Sequence, residues 1–339
     1  MAITTGVSTL GQSNTQIARL GELQKSMSEL QRQLTTQKKH DDYSGFGFES
    51  LSLQRSRMEK GHLESYLSNI DNVTTRVKLM STSLTKVSDI GRQLIESIQS
   101  EVRTGNVDVN TMRTLARDAL NFFKDVTNTE IDGRYLFSGS STTTQPINSL
   151  NNTNADFQAQ ITNWLNGTTS TAQLMTDVNA MTTTQLGFDP SLSSSGEVSL
   201  RIDDATEVDY TVMGNSNGFD DIMRALGLMA NLQAPNPATD TPTNDELNDV
   251  LDGILVIAQR GVDAVDAAST MLGSKFNMIN SVQEQHEQDL ALYENAIAET
   301  ENADTTEIVA KIQSLQTQLS ASYQVTNIVS QLSLINFLS

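Results

Sequence analysis

Near the start of the chain, apolar residues fall at alternating spacings of three and four: Leu20, Leu23, Met27, Leu30 and Leu34. That rhythm keeps one stripe of a helix facing a partner and predicts a coiled-coil seam, which Ile17 and Leu10 extend weakly. Glycines and aromatics interrupt it in LTTQKKHDDYSGFGFESLSLQ, residues 34–54. The seam resumes at Tyr66, Ile70, Val73, Val77, Met80, Leu84 and Val87. After a break expected at Gly91 it continues through Leu94 and Ile98, so that the whole run predicts a helix of roughly 40–50 residues. The turn signal RTGNVD, residues 103–108, then introduces a shorter helix lined by Met112, Leu115, Ala119, Phe122 and Val126, folded back on the first as a helical hairpin.

The far end of the chain mirrors this arrangement. From Asn244 the positions Leu247, Leu251, Ile254, Ala258, Val265, Ala268, Leu272 and Ile279 share a helical face that extends through Val282, Leu290, Tyr293 and Ile297. Asp304, with Glu307 three residues on, has the spacing of a capping box and predicts the start of a last helix. Ile308, Ile312, Leu315, Leu319, Val325, Ile328, Leu332 and Ile335 are expected on one face of it, and Leu334 and Phe337 belong to the same terminal apolar set.

Residues 140–243 differ in kind, being rich in Ser, Thr and Asn and holding all five prolines. EVSLRID (197–203) and EVDYTVM (207–213) alternate apolar and polar residues around Asp204-Ala205-Thr206, the pattern of a β-hairpin. GFDDIMRALGLMANLQ (218–233) reads as a helix packed on it. The expected fold is therefore mainly α, with long antiparallel helical rods built from both chain ends and an inserted α+β outer domain. The expected division is a terminal coiled-coil inner domain (1–44 and 300–339), a helical rod domain (45–140 and 244–299) and the outer domain (141–243).

A formal charge of -19 repels phosphate backbones, and no dense Lys/Arg stripe offsets it, so nucleic acid is not expected as a partner. The chain has no cysteine, which rules out disulfides and thiolate metal sites. No charged n-region precedes an apolar block, and no run of about 20 apolar residues occurs, so neither a cleaved signal nor membrane insertion is expected.

Candidate chemistry is sparse. His40, Asp41 and Asp42 carry ligand-type side chains, yet consecutive residues rarely converge on one metal, and His62 and His286 lie in helical runs without an HxxxH partner. SGFGFES lacks the GxxxxGK[ST] pattern of a phosphate cradle and follows no strand. No serine sits in a nucleophile-elbow sequence, and Asp203-Asp204 fits a hairpin turn better than a catalytic carboxylate pair. Neither catalysis nor a cofactor is expected. Residues 34–54 read as a joint between helices, with Lys38 and Lys39 as surface charges or contacts to a neighbour's acidic face.

Apolar faces at both termini need burial. One solution is an intramolecular bundle; the other is pairing of the two ends, completed by neighbouring subunits. DGRYLFSGS (132–140) and the C-terminal NADTTEIVAKIQSLQTQLSASYQVTNIVSQLSLINFL resemble the corresponding segments of the flagellar hook-filament junction proteins, the hook-associated protein 3 family within the bacterial flagellin superfamily. Ile3 and Ser8, ahead of the first helix, are similar to the start of that superfamily. Thr36 to Gly47 depart from its commonest glycine, basic residue and Ser-x-x-Asp-Asp pattern, and the Tyr43-Ser44-Gly45-Phe46-Gly47 form looks like that of junction proteins rather than filament subunits. The resemblance covers roughly 1–140 and 245–339. It implies a ring of copies outside the cell, between the first junction protein and flagellin. It also implies unfolded export through the flagellar type III apparatus and a cytoplasmic chaperone on the C-terminal helix. A flagellin filament subunit is the nearest alternative, and an adhesin or glycan-acting enzyme seated in 140–243 is a reading of a different class.

Overall fold

The structure, a computed structural model, describes the backbone of residues 9–104 and 108–338 and the side chains of 14–103 and 108–328. The chain is mainly helical. Among the described residues, the helices are α1 (Thr9–Thr36), α2 (Glu49–Thr104), α3 (Val109–Thr127), α4 (Asn151–Leu165), α5 (Thr171–Asn179), α6 (Asn217–Asn231), α7 (Asn244–Glu301) and α8 (Thr305–Leu338). The strands are β1 (Glu130–Ile131), β2 (Arg134–Tyr135), β3 (Ser199–Arg201) and β4 (Glu207–Asp209). They form two compact units: a terminal unit, Met1–Glu64 with Glu287–Ser339, and a middle unit, Ser65–His286.

In the middle unit the seam of α2 is buried at Ile70, Val77, Met80, Leu84, Val87, Leu94 and Ile98, and α7 meets it with Leu247, Leu251, Ile254, Ala258, Val265, Leu272 and Ile279. Asp71 bonds Gln283, Lys78 lies over the Phe276 ring, and Ser88 donates to Asp266, so the contacts descend along α7 as they climb α2. The break expected at Gly91 is absent, and α2 runs straight through it. A Cβ there would sit 2.5 Å from a methyl of Val262. The glycine is a point of close approach, which a propensity argument reads as punctuation.

Helix α3 begins at Asp108, whose carboxylate accepts the N–H groups of Asn110 and Thr111 as an N-cap. Residues 105–107 of the expected turn lie outside the described residues. The buried face is Met112, Ala116, Leu120, Phe123 and Val126, whereas Leu115 and Phe122, expected on that face, are about half exposed. The sequence offers two apolar phases one residue apart, and packing on α6 selects one of them. Phe123 and Phe137 both pack at a tilt against Phe219 of α6, at ring distances of 5.9 and 5.2 Å.

Helix α6 is buried along nearly its whole length, and it packs on α3 and α4. A Cβ on its Gly227 would lie 2.1 Å from the Phe157 ring, so the two helices touch where only glycine fits. Helices α4 and α5 are not foreseen by the sequence reading, because their Asn, Thr and Gln content masks the signal. The signal was present at i, i+4 and i+7 in Phe157, Ile161 and Trp164, all buried. The expected hairpin is β3–β4, with Leu200 opposite Val208. Its turn carries Asp204, whose carboxylate accepts the Tyr66 hydroxyl at 2.7 Å.

Candidate assembly face of the terminal helices

Within the terminal unit, α1 ends at Thr36 because Gln37 takes a left-handed φ of 58°, which no following helical turn can share. Lys38 then forms a bridge with Asn302. The Lys39 N–H donates to the Glu301 carbonyl at 2.8 Å, and the Ala303 N–H donates to the Gln37 carbonyl at 3.0 Å. The joint between α1 and α2 is thereby tied to the joint between α7 and α8. A single 3-10 turn, Tyr43–Phe46, completes it, with His40 edge-on to Phe46 at 5.2 Å.

Electrostatics reinforce the tie. Glu301 is buried and pairs with both Arg57 and Lys38. Burial works against the charge on Arg57, but the Tyr43 hydroxyl and the Glu301 carboxylate outweigh it and raise the guanidinium pKa above its usual value. Lys39 donates to the Glu299 carbonyl at 2.7 Å. Lys38 and Lys39, expected as surface charges or contacts to a neighbour, lie at the surface with their ammonium groups on Glu301 and Glu299 of the same chain. His40, Asp41 and Asp42 bring no metal cluster: among the described residues no group of three or more His, Cys, Asp or Glu side chains could hold an ion. Asp41 instead pairs with Arg32.

Asp304 caps α8 as expected, its carboxylate accepting from Thr306 and Glu307. Glu307 pairs with Lys311. Helices α1 and α8 then run along each other, with Gln24 donating to the Tyr323 hydroxyl at 2.9 Å. Leu20, Leu23, Met27 and Leu30 are half-buried, and Leu34 is at the margin of exposure. On α8, Ile308 is buried and Ile312, Leu315 and Leu319 are half-buried. Past Leu319 the same face continues through Ser322 and Thr326, while Val325 and Ile328 turn outward and are 49% and 57% exposed. The side chains of Leu332, Leu334, Ile335 and Phe337 lie outside the described residues.

The outward residues are not confined to one stripe. Val309, Tyr323, Val325 and Ile328 are all substantially exposed, and at 100° per residue they point to different sides of α8. No charged residue occurs from 312 to 339. Phe48, just before α2, and Leu51 and Met58 on its first turns, at spacings of three and seven, are exposed while Leu53 is buried, and none of them is singled out from the sequence. Their helical spacing is the signal in the sequence, next to the glycines of the turn before them.

No helix among the described residues is long and apolar enough to cross a membrane. No family model and no curated protein matches the chain. Two solved structures are similar to much of it. One is described as a flagellar hook-associated protein of Vibrio parahaemolyticus, with a TM-score of 0.49 and 15% identity over 76% of this chain and 98% of that one. The other is FlgL of Bacillus cereus, with a TM-score of 0.44 and 14% identity over 72% of this chain and 98% of that one.

Proposed function

We propose that this chain is a structural subunit of the bacterial flagellum that joins the hook, through the first junction protein, to the flagellin filament, and that it catalyses no reaction. The observation that carries the reading is α8. Its apolar residues face several sides, only one side is covered by α1, and nothing charged follows Lys311. A helix that is apolar around its circumference belongs inside a larger body of protein, and each Leu or Ile that becomes buried there contributes roughly 1.5–3 kcal/mol. Gln, Ser, Thr and Asn between the apolar positions can be buried against a neighbour through neutral hydrogen bonds, without the desolvation cost of ions. Copies of the same unit supply such a neighbour, and a ring or helical array satisfies all sides at once.

The position at the junction follows from the sequence resemblance in DGRYLFSGS, the Tyr43–Gly47 turn and the C-terminal stretch. On this reading the terminal helices form an inner layer, the antiparallel parts of α2, α3 and α7 a rod layer, and 141–243 an outer domain. Export without a cleaved signal and a cytoplasmic chaperone on α8 belong to the same proposal, as do flagellin and the first junction protein as partners.

Electron microscopy of cells lacking the gene, with a gel of the culture medium, tests it. Bare hooks with flagellin shed into the medium are expected. Bare hooks with the major filament protein missing from the medium would instead make this chain the filament subunit, and unchanged flagella would end both readings.

A further inference from the structure

Apart from the terminal helices, one concavity of the middle unit collects chemistry that the assembly role does not use. It has a volume of about 170 Å³ and lies where α2 meets the loops around β1–β2 and β3–β4. Arg76 enters it from α2 and Arg134 from β2, and Tyr210, Thr142, Thr211 and Asn72 supply hydroxyl and amide groups. Its floor is apolar, with Val73, Met80 and Leu136.

The two arginines are unmatched. Among the described residues no carboxylate lies within 4 Å of either one, in a chain with nearly twice as many acidic as basic residues. Arg76 donates to the Tyr135 carbonyl at 3.4 Å and hydrogen-bonds the Tyr210 hydroxyl, neither of which carries a compensating charge, out of five N–H donors on its guanidinium. The nearby Asp209 is already held by Lys275 at 3.2 Å and by the Thr211 N–H at 2.8 Å. Both guanidiniums act on the buried Tyr210 phenol: burial raises its pKa, and Arg76 and then Arg134 offset only part of that rise. Two cations therefore line one half-enclosed space, and the nearest carboxylate, Asp209, is engaged by Lys275 and pairs with neither of them.

We propose that this pocket binds a small oxyanion, a phosphate or carboxylate group, gripped by Arg76 and Arg134 and oriented by the surrounding hydroxyls. Guanidinium forks match the geometry of such groups and pair with them in bidentate fashion. The volume lies below the roughly 300–1,000 Å³ typical of sites for drug-sized ligands. The ligand is thus a single anionic group or a compact molecule that carries one. Residue Arg134 sits in DGRYLFSGS, so a segment that closes the helical hairpin also delivers a ligand side chain.

The test is a titration of the full-length protein with inorganic phosphate and, separately, with glutarate, against sodium chloride at equal ionic strength, read by calorimetry and by thermal unfolding. Saturable heat and a rise in the unfolding midpoint are expected with at least one of the two anions and not with chloride. Phosphate alone would assign a phosphate-bearing ligand, and glutarate a carboxylate-bearing one. Arg134→Gln, at an exposed position, keeps the fold and is expected to lower affinity roughly 10–100-fold. Thr142→Val serves as a second variant and weakens binding less. A response no larger than that to chloride, or equal affinity in Arg134→Gln, overturns the proposal. Filament assembly is not read in this experiment, so its outcome is independent of the flagellar role.

Discussion

The middle unit and the terminal unit use the same heptad-like spacing and reach opposite results. In the middle unit the seams of α2 and α7 are buried to a few per cent, because α6 packs against both of them and is itself covered by α3 and α4. In the terminal unit the seams of α1 and α8 stop at partial burial, and Val325, Ile328 and Tyr323 face solvent. Periodicity gives a helix one good face; the number of neighbours decides whether that face becomes a core. The middle unit carries its neighbours in its own sequence, and the apolar sides of α8 that α1 leaves uncovered are the ones the proposed assembly would cover.

The contrast can be broken most directly in the core of the middle unit. Phe219→Ala removes a fully buried ring that touches Phe123 and Phe137 and is expected to cost about 3–5 kcal/mol in denaturant unfolding. Asp221→Ala leaves Arg224 and Arg260 without the buried carboxylate that both grip at 2.8 Å or less, and a loss of about 3 kcal/mol is expected. If either variant unfolds like the parent, the middle unit is not the self-sufficient body described.

A smaller effect should appear with pH. Burial, partly countered by Arg224 and augmented by Asp221, pushes the Asp220 carboxyl up to about 6 from an ordinary 3.8. Because the folded pKa is above the unfolded one, ionisation of Asp220 opposes folding at pH 7 and above. That penalty is relieved as pH falls through about 6 towards 4. Asp220→Asn should accordingly stabilise the middle unit by roughly 1–3 kcal/mol at pH 7.5 and flatten the Asp220 part of its pH profile. Urea melts of both forms at pH 5 and pH 7.5 measure the difference, and an unchanged profile would contradict the burial of Asp220.

Glycine substitutions sharpen the comparison further. Gly91→Ala in α2 drives a methyl against Val262 and is expected to destabilise by about 1–3 kcal/mol. Gly21→Ala in α1 meets nothing within 4 Å and should stabilise the helix by about 0.5–1 kcal/mol. Circular dichroism during thermal unfolding separates the two signs. The smallest effect on the isolated chain belongs to Val325→Asp, which changes monomer stability by less than about 0.5 kcal/mol yet is expected to abolish copolymerisation with hook and flagellin, read by sedimentation. Normal assembly of that variant would remove α8 from the interface.

Some of this was open to a reader of the chain. The long runs of α2 and α7 repeat one apolar face often enough that no local ambiguity survives, and Leu200 and Val208 mark their hairpin by simple alternation. The candidate face was only partly visible. Leu20 to Leu30 on α1 and Ile308 to Leu319 on α8 are partly or fully buried, whereas Val325 and Ile328 step off the α8 stripe by one residue and are exposed. Leu115 and Phe122 were assigned to the wrong phase for a related reason: Ala116, Leu120 and Phe123 offer an equally apolar alternative.

By itself, then, the sequence determined where the long helices run and most of the residues that share their buried faces, because those are consequences of a 3.6-residue repeat acting over short distances. Only the tertiary structure decided which apolar phase of α3 turns inward and why Gly91 is a contact rather than a break. It alone brought Glu301 to Arg57, Asp221 to Arg260 and Arg76 to Arg134. Those pairings join residues far apart along the chain, and a local repeat carries no information about which distant partner will fill the space beside it.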